Sequence, residues 1–223
     1  MLSKLMSIVD ICNFKTLYFN FRYLPFRQAV RLPIWVSRRM RIRKSEGTVT
    51  ITDNCIRCGM IRLGMDCVGI FDNRRSRSIW QVQGDITFHG KAFIGHGCKI
   101  SVAEGAKMTF GNDFNCTAET TLAAASEITF GDNCLLSWDI LIMDTDWHHI
   151  LDNTGKVINP PKPVRIGNKV WIGCRSQIMK GTQIADGNII AAGTILSGKI
   201  ERENCIIGKN PAQVIREDIS WKK

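Results

Sequence analysis

The chain has 223 residues but no apolar run approaching the roughly 20 residues that a membrane-spanning helix needs. It also lacks an N-terminal apolar segment followed by a small-residue cleavage site, so we expect no secretion and a cytoplasmic protein. Its nine cysteines are odd in number and scattered, which suits a reducing compartment. Cys55 and Cys58 form a Cys-x-x-Cys pair with Cys67 nearby. Because no second pair follows, we do not expect a structural zinc site.

Acidic residues are scarce in the first 46 positions. Ten Lys or Arg stand there against Asp10 and Glu46, so this segment carries most of the net charge of +10. The remainder is nearly balanced, which argues against nucleic-acid binding. We interpret residues 1–46 as a basic, aromatic and partly helical N-terminal extension. It either caps the open end of the domain that follows or lies on an anionic membrane at its inner face, and the two roles are compatible.

Aliphatic residues recur at every sixth position near the end of the chain: Ile166, Ile172, Ile178, Ile184, Ile190 and Leu196. This period fits neither a helix nor a half-buried strand and is typical of a hexapeptide β-helix. The position four residues after each is mostly small or β-branched. Three such six-residue rungs would form one triangular turn, and neighbouring turns would bury a shared aliphatic column. We therefore predict an all-β parallel β-helix over residues 47–217 and a tail at residues 218–223.

The same spacing continues upstream in a less regular form. It links Phe88, Ile94 and Ile100, and further copies begin at Phe110 and Phe130. The intervals between copies slightly exceed three rungs. Extra residues are therefore expected at the corners, which face water and tolerate insertions.

The repeat stops after Ile142 and resumes at Ile166. The intervening loop, residues 144–165, is a long excursion from a regular solenoid, and such loops are commonly functional. It carries four side chains suited to proton transfer: Asp144, Asp146, His148 and His149. A neutral imidazole can accept a proton near pH 7, and a nearby carboxylate can fix its tautomer. The residues alone fit both a catalytic loop and a merely polar surface loop.

Three segments carry a resemblance to a known family. They are the rungs that open with Ile166-Gly167-Asn168-Lys169-Val170-Trp171-Ile172-Gly173, the histidine loop before them, and the ending Gly208-Lys209-Asn210-Pro211-Ala212. Over residues 85–217 the chain resembles the hexapeptide-repeat acyltransferases, among them the galactoside, maltose and surface-polysaccharide O-acetyltransferases. The resemblance implies a left-handed parallel β-helix and a homotrimer. It also implies acetyl-CoA as cosubstrate between neighbouring subunits, with no metal.

The resemblance further implies direct acetyl transfer to a hydroxyl of a sugar or surface-polysaccharide precursor. A loop histidine would act as general base, and a backbone amide would stabilise the oxyanion. His148 is favoured over His149, because adjacent residues in an extended segment point to opposite sides and the family's base follows an aromatic residue. Asp144 and Asp146 would orient the base or shape the acceptor pocket. Asn115, in the sequence Phe-Asn-Cys-Thr, matches an asparagine that the family places near the acceptor.

Seven residues are candidates for binding the cofactor: Trp171, Gly173, Cys174, Ala192, Gly193, Lys199 and Arg216. Among them Gly173, Ala192 and Gly193 sit at positions that the family uses, and Cys174 stands where the family commonly has a small, polar residue. Backbone groups of the glycines and of Ala192 would meet the amides of the pantetheine arm. Trp171 would pack against that arm or be buried. Lys199 and Arg216 would meet phosphates. One departure concerns the lysine, since the chain reads Ser-Gly-Lys where the family often has Thr-Lys-Asp.

Other functions remain open at this point. An N-acyltransferase acting on an amino sugar could use the same base, whereas a non-catalytic β-helix scaffold would not need a histidine-bearing loop. A γ-type carbonic anhydrase shares the fold but needs three zinc-binding histidines, two of them separated by four residues. The four histidines do not show that spacing: His89, His96, His148 and His149.

Overall fold

The computed structural model describes residues 13–65, 68–72 and 76–223. The helices of this described part are α1 (Phe14–Tyr23) and α2 (Phe26–Ala29). All other elements are short strands, so the predicted all-β class with a partly helical N-terminus is confirmed. Cys67, of the cysteine group noted above, lies outside the described residues.

The strands form three sheets, and the chain passes from the first to the second to the third and back to the first. The first sheet contains β1 (Ile34–Val36), β4 (Ile61–Met65), β7 (Ala92–Gly95), β10 (Phe114–Ala118), β13 (Leu135–Trp138), β16 (Trp171–Ile172), β19 (Ile189–Ile190), β22 (Ile206–Gly208) and β23 (Gln213–Arg216). The second contains β2 (Arg41–Ser45), β5 (Ile79–Val82), β8 (Lys99–Val102), β11 (Thr121–Ala124), β14 (Leu141–Met143), β17 (Gln177–Ile178) and β20 (Ile195–Leu196). The third contains β3 (Thr48–Ile51), β6 (Asp85–Phe88), β9 (Lys107–Phe110), β12 (Glu127–Phe130), β15 (Val164–Ile166), β18 (Gln183–Ile184) and β21 (Lys199–Ile200).

The aliphatic column predicted from the six-residue spacing is confirmed. Each aliphatic stands opposite its counterpart one coil further on, in the parallel pairs Ile166–Ile184, Ile172–Ile190 and Ile178–Leu196. All six side chains are at most 3% exposed. Burial of a side chain of this size contributes roughly 1.5–3 kcal/mol. Upstream, the rings of Phe88, Phe110 and Phe130 extend the column, with successive centroids 5.0 and 5.5 Å apart.

The small polar residues four positions after the aliphatics also point inward. Ser176, Thr182, Asn188 and Thr194 are at most 1% exposed. The Thr182 hydroxyl donates to the carbonyl of Met179 over 2.6 Å, and the Asn188 amide donates to the carbonyl of Arg202 over 2.7 Å. These side chains therefore satisfy backbone groups at corners, where the ladder between coils is interrupted.

The corner between the third and first sheets is tied together by Asn and Asp side chains. A side-chain oxygen accepts a backbone N–H of the preceding coil in four successive bonds of 2.7–3.0 Å: Lys91 to Asn112, Asn112 to Asp132, Asp132 to Asn168, and Asn168 to Asp186. Each acceptor precedes a residue with a φ between 52° and 73°. The left-handed residue turns the chain, and the side-chain bond joins one turn to the next.

The β-helix begins at Ile34, inside the segment that we interpreted as an extension from its charge. Strand β1 pairs with β4, and β2 pairs with β5, so both belong to the first coil. The exposed side chains of β2 are mostly basic, which hides the apolar alternation of a strand. The two helices alone precede the coil within the described residues.

Helix α1 covers the outer edge of strand β1. Asn20 donates from Nδ2 to the carbonyl of Ile34 over 2.7 Å, and its Oδ1 accepts the N–H of the same residue over 3.1 Å. The hydroxyl of Thr16 accepts the N–H of Val36 over 3.0 Å. Unpaired groups on an edge strand favour association with other chains, and these bonds remove them.

Aromatic side chains complete the cover over the first coils. Phe19 of α1 is fully buried, with its ring centroid 5.0 Å from that of Trp80 in β5. The indole N–H of Trp80 donates to the hydroxyl of Tyr23 over 2.9 Å. The helix therefore packs onto the interior of the β-helix as well as onto its edge.

Replacing Asn168 by Ala should lower the stability of the fold by about 1 kcal/mol, since the amide of Asp132 loses its acceptor. The melting temperature should fall by roughly 2–4 °C. Asn153→Ala, at an exposed loop position with no side-chain hydrogen bond in the described structure, is the matched control. Equal melting temperatures for the two variants would contradict a stabilising corner ladder.

Candidate functional site

The loop with the paired histidines joins β14 to β15 and comprises residues 144–163. Its tip is a small hairpin closed by an antiparallel bridge between Leu151 and Val157. The Asp152 carboxylate accepts the hydroxyl of Thr154 over 2.6 Å and the N–H of Lys156 over 3.0 Å. The hydrogen bond from the Thr154 hydroxyl has the largest effect in holding the pKa of Asp152 below its usual range, and the backbone amides contribute less. The loop therefore has a defined conformation.

Asp146 anchors the base of the loop. Its carboxylate forms an ion pair with Lys180 and accepts Nδ2 of Asn159 over 2.8 Å. Asn159 also donates to the carbonyl of His148 over 2.8 Å, and its Oδ1 accepts the N–H of Ile150 over 2.6 Å. The hydrogen bonds from Lys180 and Asn159 hold the pKa of Asp146 below its usual range, and the bond from Lys180 has the larger effect. The backbone around the histidines is thus fixed to the next coil.

Asp144 has a different environment. It is fully buried, and its two carboxylate oxygens accept the backbone N–H groups of Ala125 and Ser126 over 2.7 and 2.8 Å. Its carbonyl accepts the N–H of Lys162 over 2.9 Å. These bonds tie both ends of the loop to the preceding corner, so the observed contacts of Asp144 serve loop geometry.

His148 and His149 are both exposed on the loop. Within the described residues, neither imidazole makes a hydrogen bond, so their ring nitrogens are open to a substrate hydroxyl. Trp147 precedes them with a φ of 60° and is 50% exposed. A positive φ at a bulky residue is unusual and indicates a backbone held by its surroundings. Here the hydrogen bonds of Asn159 to Asp146 and to the carbonyl of His148 fix the backbone.

Asn115 lies on β10 in the first sheet and points outward, since its neighbours Phe114 and Cys116 are buried inside. Its Oδ1 is buried and has no hydrogen-bond partner among the described residues. Asn115 lines a cleft of about 460 Å³ whose rim includes Arg57, Arg62, Lys91 and Asp113. The Asn115 side chain therefore faces this cleft, with an amide oxygen that no described residue hydrogen-bonds.

Asn115 and His148 do not meet within one chain. The histidine loop leaves the corner between the second and third sheets, because it follows β14 and precedes β15. In a three-sided stack that corner is opposite the first sheet, which carries Asn115. Sequence reasoning placed the two in one site, and the structure places them on opposite sides of the prism.

Four of the residues predicted to bind the cofactor converge at the corner between the first and second sheets: Gly173, Cys174, Ala192 and Gly193. The N–H of Gly193 donates to the carbonyl of Cys174 over 2.9 Å. A Cβ on Gly173 would lie 2.6 Å from the backbone nitrogen of Ala192, so glycine permits the close approach of the coils. Ala192 and Gly193 are exposed and offer a backbone surface to a ligand.

The other three predicted cofactor residues lie apart. Trp171 is half-buried on the first sheet, where its indole N–H donates to Ser137 over 3.1 Å and its ring lies 6.0 Å from that of Trp221. Lys199 is exposed on the third sheet, opposite this corner, and Arg216 is exposed on the last strand of the first sheet. A single chain therefore does not collect both cations beside the corner.

Sequence reasoning missed Asn159 and Lys180, which position the loop. The pairing of β14 with β17 shows how Lys180 could have been found. Ile142 stands opposite Ile178, so the corner two residues after Ile178 lies next to the position where the loop departs. Asn159 directly precedes two prolines, but its bonds depend on the hairpin, which the sequence did not predict.

No group of three or more His, Cys, Asp or Glu side chains in the described part of the chain could hold a metal ion. Cys55 and Cys58 are exposed free thiols. The site chemistry available from these residues is proton transfer by imidazole and hydrogen bonding by backbone and amide groups.

Comparisons with known proteins agree with this architecture. Residues 163–198 match the family model for the bacterial transferase hexapeptide, six repeats. The chain is 32% identical to the galactoside O-acetyltransferase of Escherichia coli over 115 residues, 51% of this chain and 55% of that protein. It is 37% identical to the polysialic acid O-acetyltransferase of Neisseria meningitidis over 126 residues, 56% of this chain and 55% of that protein. The alignments thus span about half the length of these curated relatives.

The crystal structure of the polySia-specific acetyltransferase NeuO has a similar fold, with a TM-score of 0.53 at 18% identity, covering 84% of this chain and 89% of that one. This likeness supports the fold. Residues 163–198 carry hexapeptide repeats of the bacterial transferase type, and the chain resembles the hexapeptide acetyltransferases in sequence and in its parallel β-helical architecture.

Lys180→Met should loosen the loop, because the ion pair with Asp146 is lost. Hydrogen exchange at the amides of Ile150 and Ile158, which are bonded inside the loop, should accelerate by at least severalfold. Amides of the coils should keep their protection. Lys156→Met, at the exposed tip, is the control. Unchanged exchange at both amides in Lys180→Met would show that Asp146 does not anchor the loop.

Proposed function

We propose that this acyltransferase transfers an acetyl group from acetyl-CoA to a hydroxyl of a sugar or surface polysaccharide. The observation that carries the proposal is the loop, which holds on a fixed backbone two imidazoles that receive no hydrogen bond from the described residues. The named O-acetyltransferase activities of the two relatives support the acceptor class. Acetyl-CoA is the donor that such an activity requires.

His148 is the general base in this proposal. Its imidazole takes the proton of the acceptor hydroxyl as the oxygen attacks the thioester carbonyl. A backbone N–H stabilises the negative charge on the tetrahedral intermediate. The intermediate collapses, the imidazolium returns the proton, and coenzyme A leaves as the thiol. Asn159 holds the backbone of the base, and Asp146 holds Asn159.

The proposed site is completed by a neighbouring copy of the chain in a homotrimer. Two observations support this arrangement. Asn115 and the loop lie on opposite sides of one chain, so one of them needs a second chain to share a site. The loop also exposes apolar side chains, with Ile150, Leu151 and Ile158 each 54–57% exposed. Contact with a partner surface would cover them.

His148→Ala should lower the rate of acetyl transfer by roughly 10²–10⁴-fold, the usual contribution of a general base. The thermal melt should be unchanged, because the side chain is exposed. The assay measures thiol release from acetyl-CoA with a panel of sugars, amino sugars and oligosaccharides. His149→Ala is the matched control and should keep most of the activity. The reverse pattern would assign the base to His149.

Coenzyme A should raise the melting temperature by several degrees when its concentration is far above its dissociation constant, since it binds only the folded state. Ala192→Trp should abolish this stabilisation by filling the corner beside Gly173. Glu104→Trp, at an exposed corner of an earlier coil, should retain it. A coenzyme A shift that survives in Ala192→Trp would place the cofactor elsewhere. No shift in the unmodified protein would contradict the proposed donor.

A further inference from the structure

The outer face of α1 presents an apolar stripe to solvent. Phe14, Leu17 and Phe21 follow the spacing of one helix face and are 79%, 48% and 52% exposed. The opposite face carries Thr16, Phe19 and Asn20 and is buried against the first coils. Packing against the first coils accounts for the buried face, and the apolar outer face is left exposed in the described structure.

The stripe continues onto helix α2. The ring centroids of Phe21 and Phe26 are 6.2 Å apart, and Phe26 is 73% exposed. Val30, 50% exposed, follows on the same side, since its N–H donates to the carbonyl of Phe26 over 3.1 Å. Phe14, Leu17, Phe21, Phe26 and Val30 together form what we name the apolar stripe. A contiguous exposed patch of large apolar side chains usually marks a contact surface.

Cations border the stripe. Arg22, Arg27 and Arg31 are exposed beside it on the two helices and the turn that follows. A cleft of about 570 Å³ next to α1 is lined by further basic residues: Lys15, Arg38, Arg39, Arg41 and Arg77. Burial lowers the pKa of Lys15, and the positive charge of Arg77 lowers it further by a smaller amount. Residues 13–46 contain nine Lys or Arg and one acid, Glu46.

We infer that this surface docks the enzyme onto an anionic lipid bilayer. The occupant must offer apolar contact to the phenylalanines and negative charge to the arginines. A second copy of the chain would bring like charges together, and a nucleic acid would leave the stripe in water. A bilayer interface supplies both acyl chains and phosphate groups, and a helix with this division of residues lies in its plane.

The docking that we infer is peripheral attachment of the two helices to the bilayer surface. Within the described residues, no helix combines the length and the apolar character needed to cross a bilayer. The stripe lies on the helices that cover the first coil, whereas the histidine loop leaves the coil after β14. No residue of the stripe lines the cleft at Asn115 either. The docking surface is therefore separate from both parts of the proposed active site, and its failure would leave the proposed acetyl transfer intact.

Flotation with lipid vesicles tests the inference. The full chain should float with vesicles of phosphatidylcholine and phosphatidylglycerol in equal parts, and not with phosphatidylcholine alone. Binding should weaken as salt rises, because exposed charges are screened. The triple variant Phe14→Ser, Phe21→Ser, Phe26→Ser should lose binding by at least tenfold. The variant Arg38→Gln, Arg41→Gln, Arg77→Gln should lose about fivefold per charge.

Matched controls distinguish docking through the stripe from nonspecific hydrophobic binding to vesicles. The triple variant Ile195→Ser, Val214→Ser, Ile215→Ser removes exposed apolar groups at the C-terminal end and should float like the unmodified chain. Equal flotation with both vesicle types, or none with either, would overturn the inference. Retained flotation of the phenylalanine variant would do the same. A lower oligomer mass of that variant would identify the stripe as a contact between copies and would also overturn it.

Discussion

Every part of this molecule depends on the parallel stacking of coils over a shared aliphatic column. Ile172 of one coil packs against Ile190 of the next, and neither could be buried by its own coil. Stacking makes the backbone of each corner a repeat of the one before it. The corners then need side chains that satisfy their carbonyl and amide groups. Inside the β-helix the Thr182 hydroxyl donates to a corner carbonyl, and outside it the Asn168 side chain accepts the N–H of Asp132.

The column also dictates where chemistry can be placed. The interior is filled, so functional groups must lie on outward faces, at corners or on an inserted loop. In our proposal the chemistry lies on the inserted loop with His148, which is held to the next coil by Asp146 and Lys180. Because a coil has three faces and they turn away from each other, groups such as His148 and Asn115 can share a site only when copies of the chain assemble.

The sequence predicted the fold well where the six-residue spacing was strict, because one repeated contact specifies that region. It also located the histidine loop, since a break in a strict repeat is visible without coordinates. It placed the start of the β-helix too late, because the basic residues on β2 hide its strand pattern. The bonds of Asn159 depend on a hairpin formed by the loop itself, and the spread of Lys199 and Asn115 over different sheets depends on three-dimensional stacking. Neither property is encoded in local spacing.

Subunit mixing tests the central claim, a histidine-loop site completed by a neighbouring chain. Chains with His148→Ala and chains with Asn115→Ala are each expected to lack acetyl transfer, and the two are combined in mixed oligomers. Random assembly should restore about one quarter of the sites, because an intact loop then meets an intact Asn115 at some interfaces. Recovery of that order supports the account. Mixed oligomers that form, as shown by mass, yet stay inactive would contradict it.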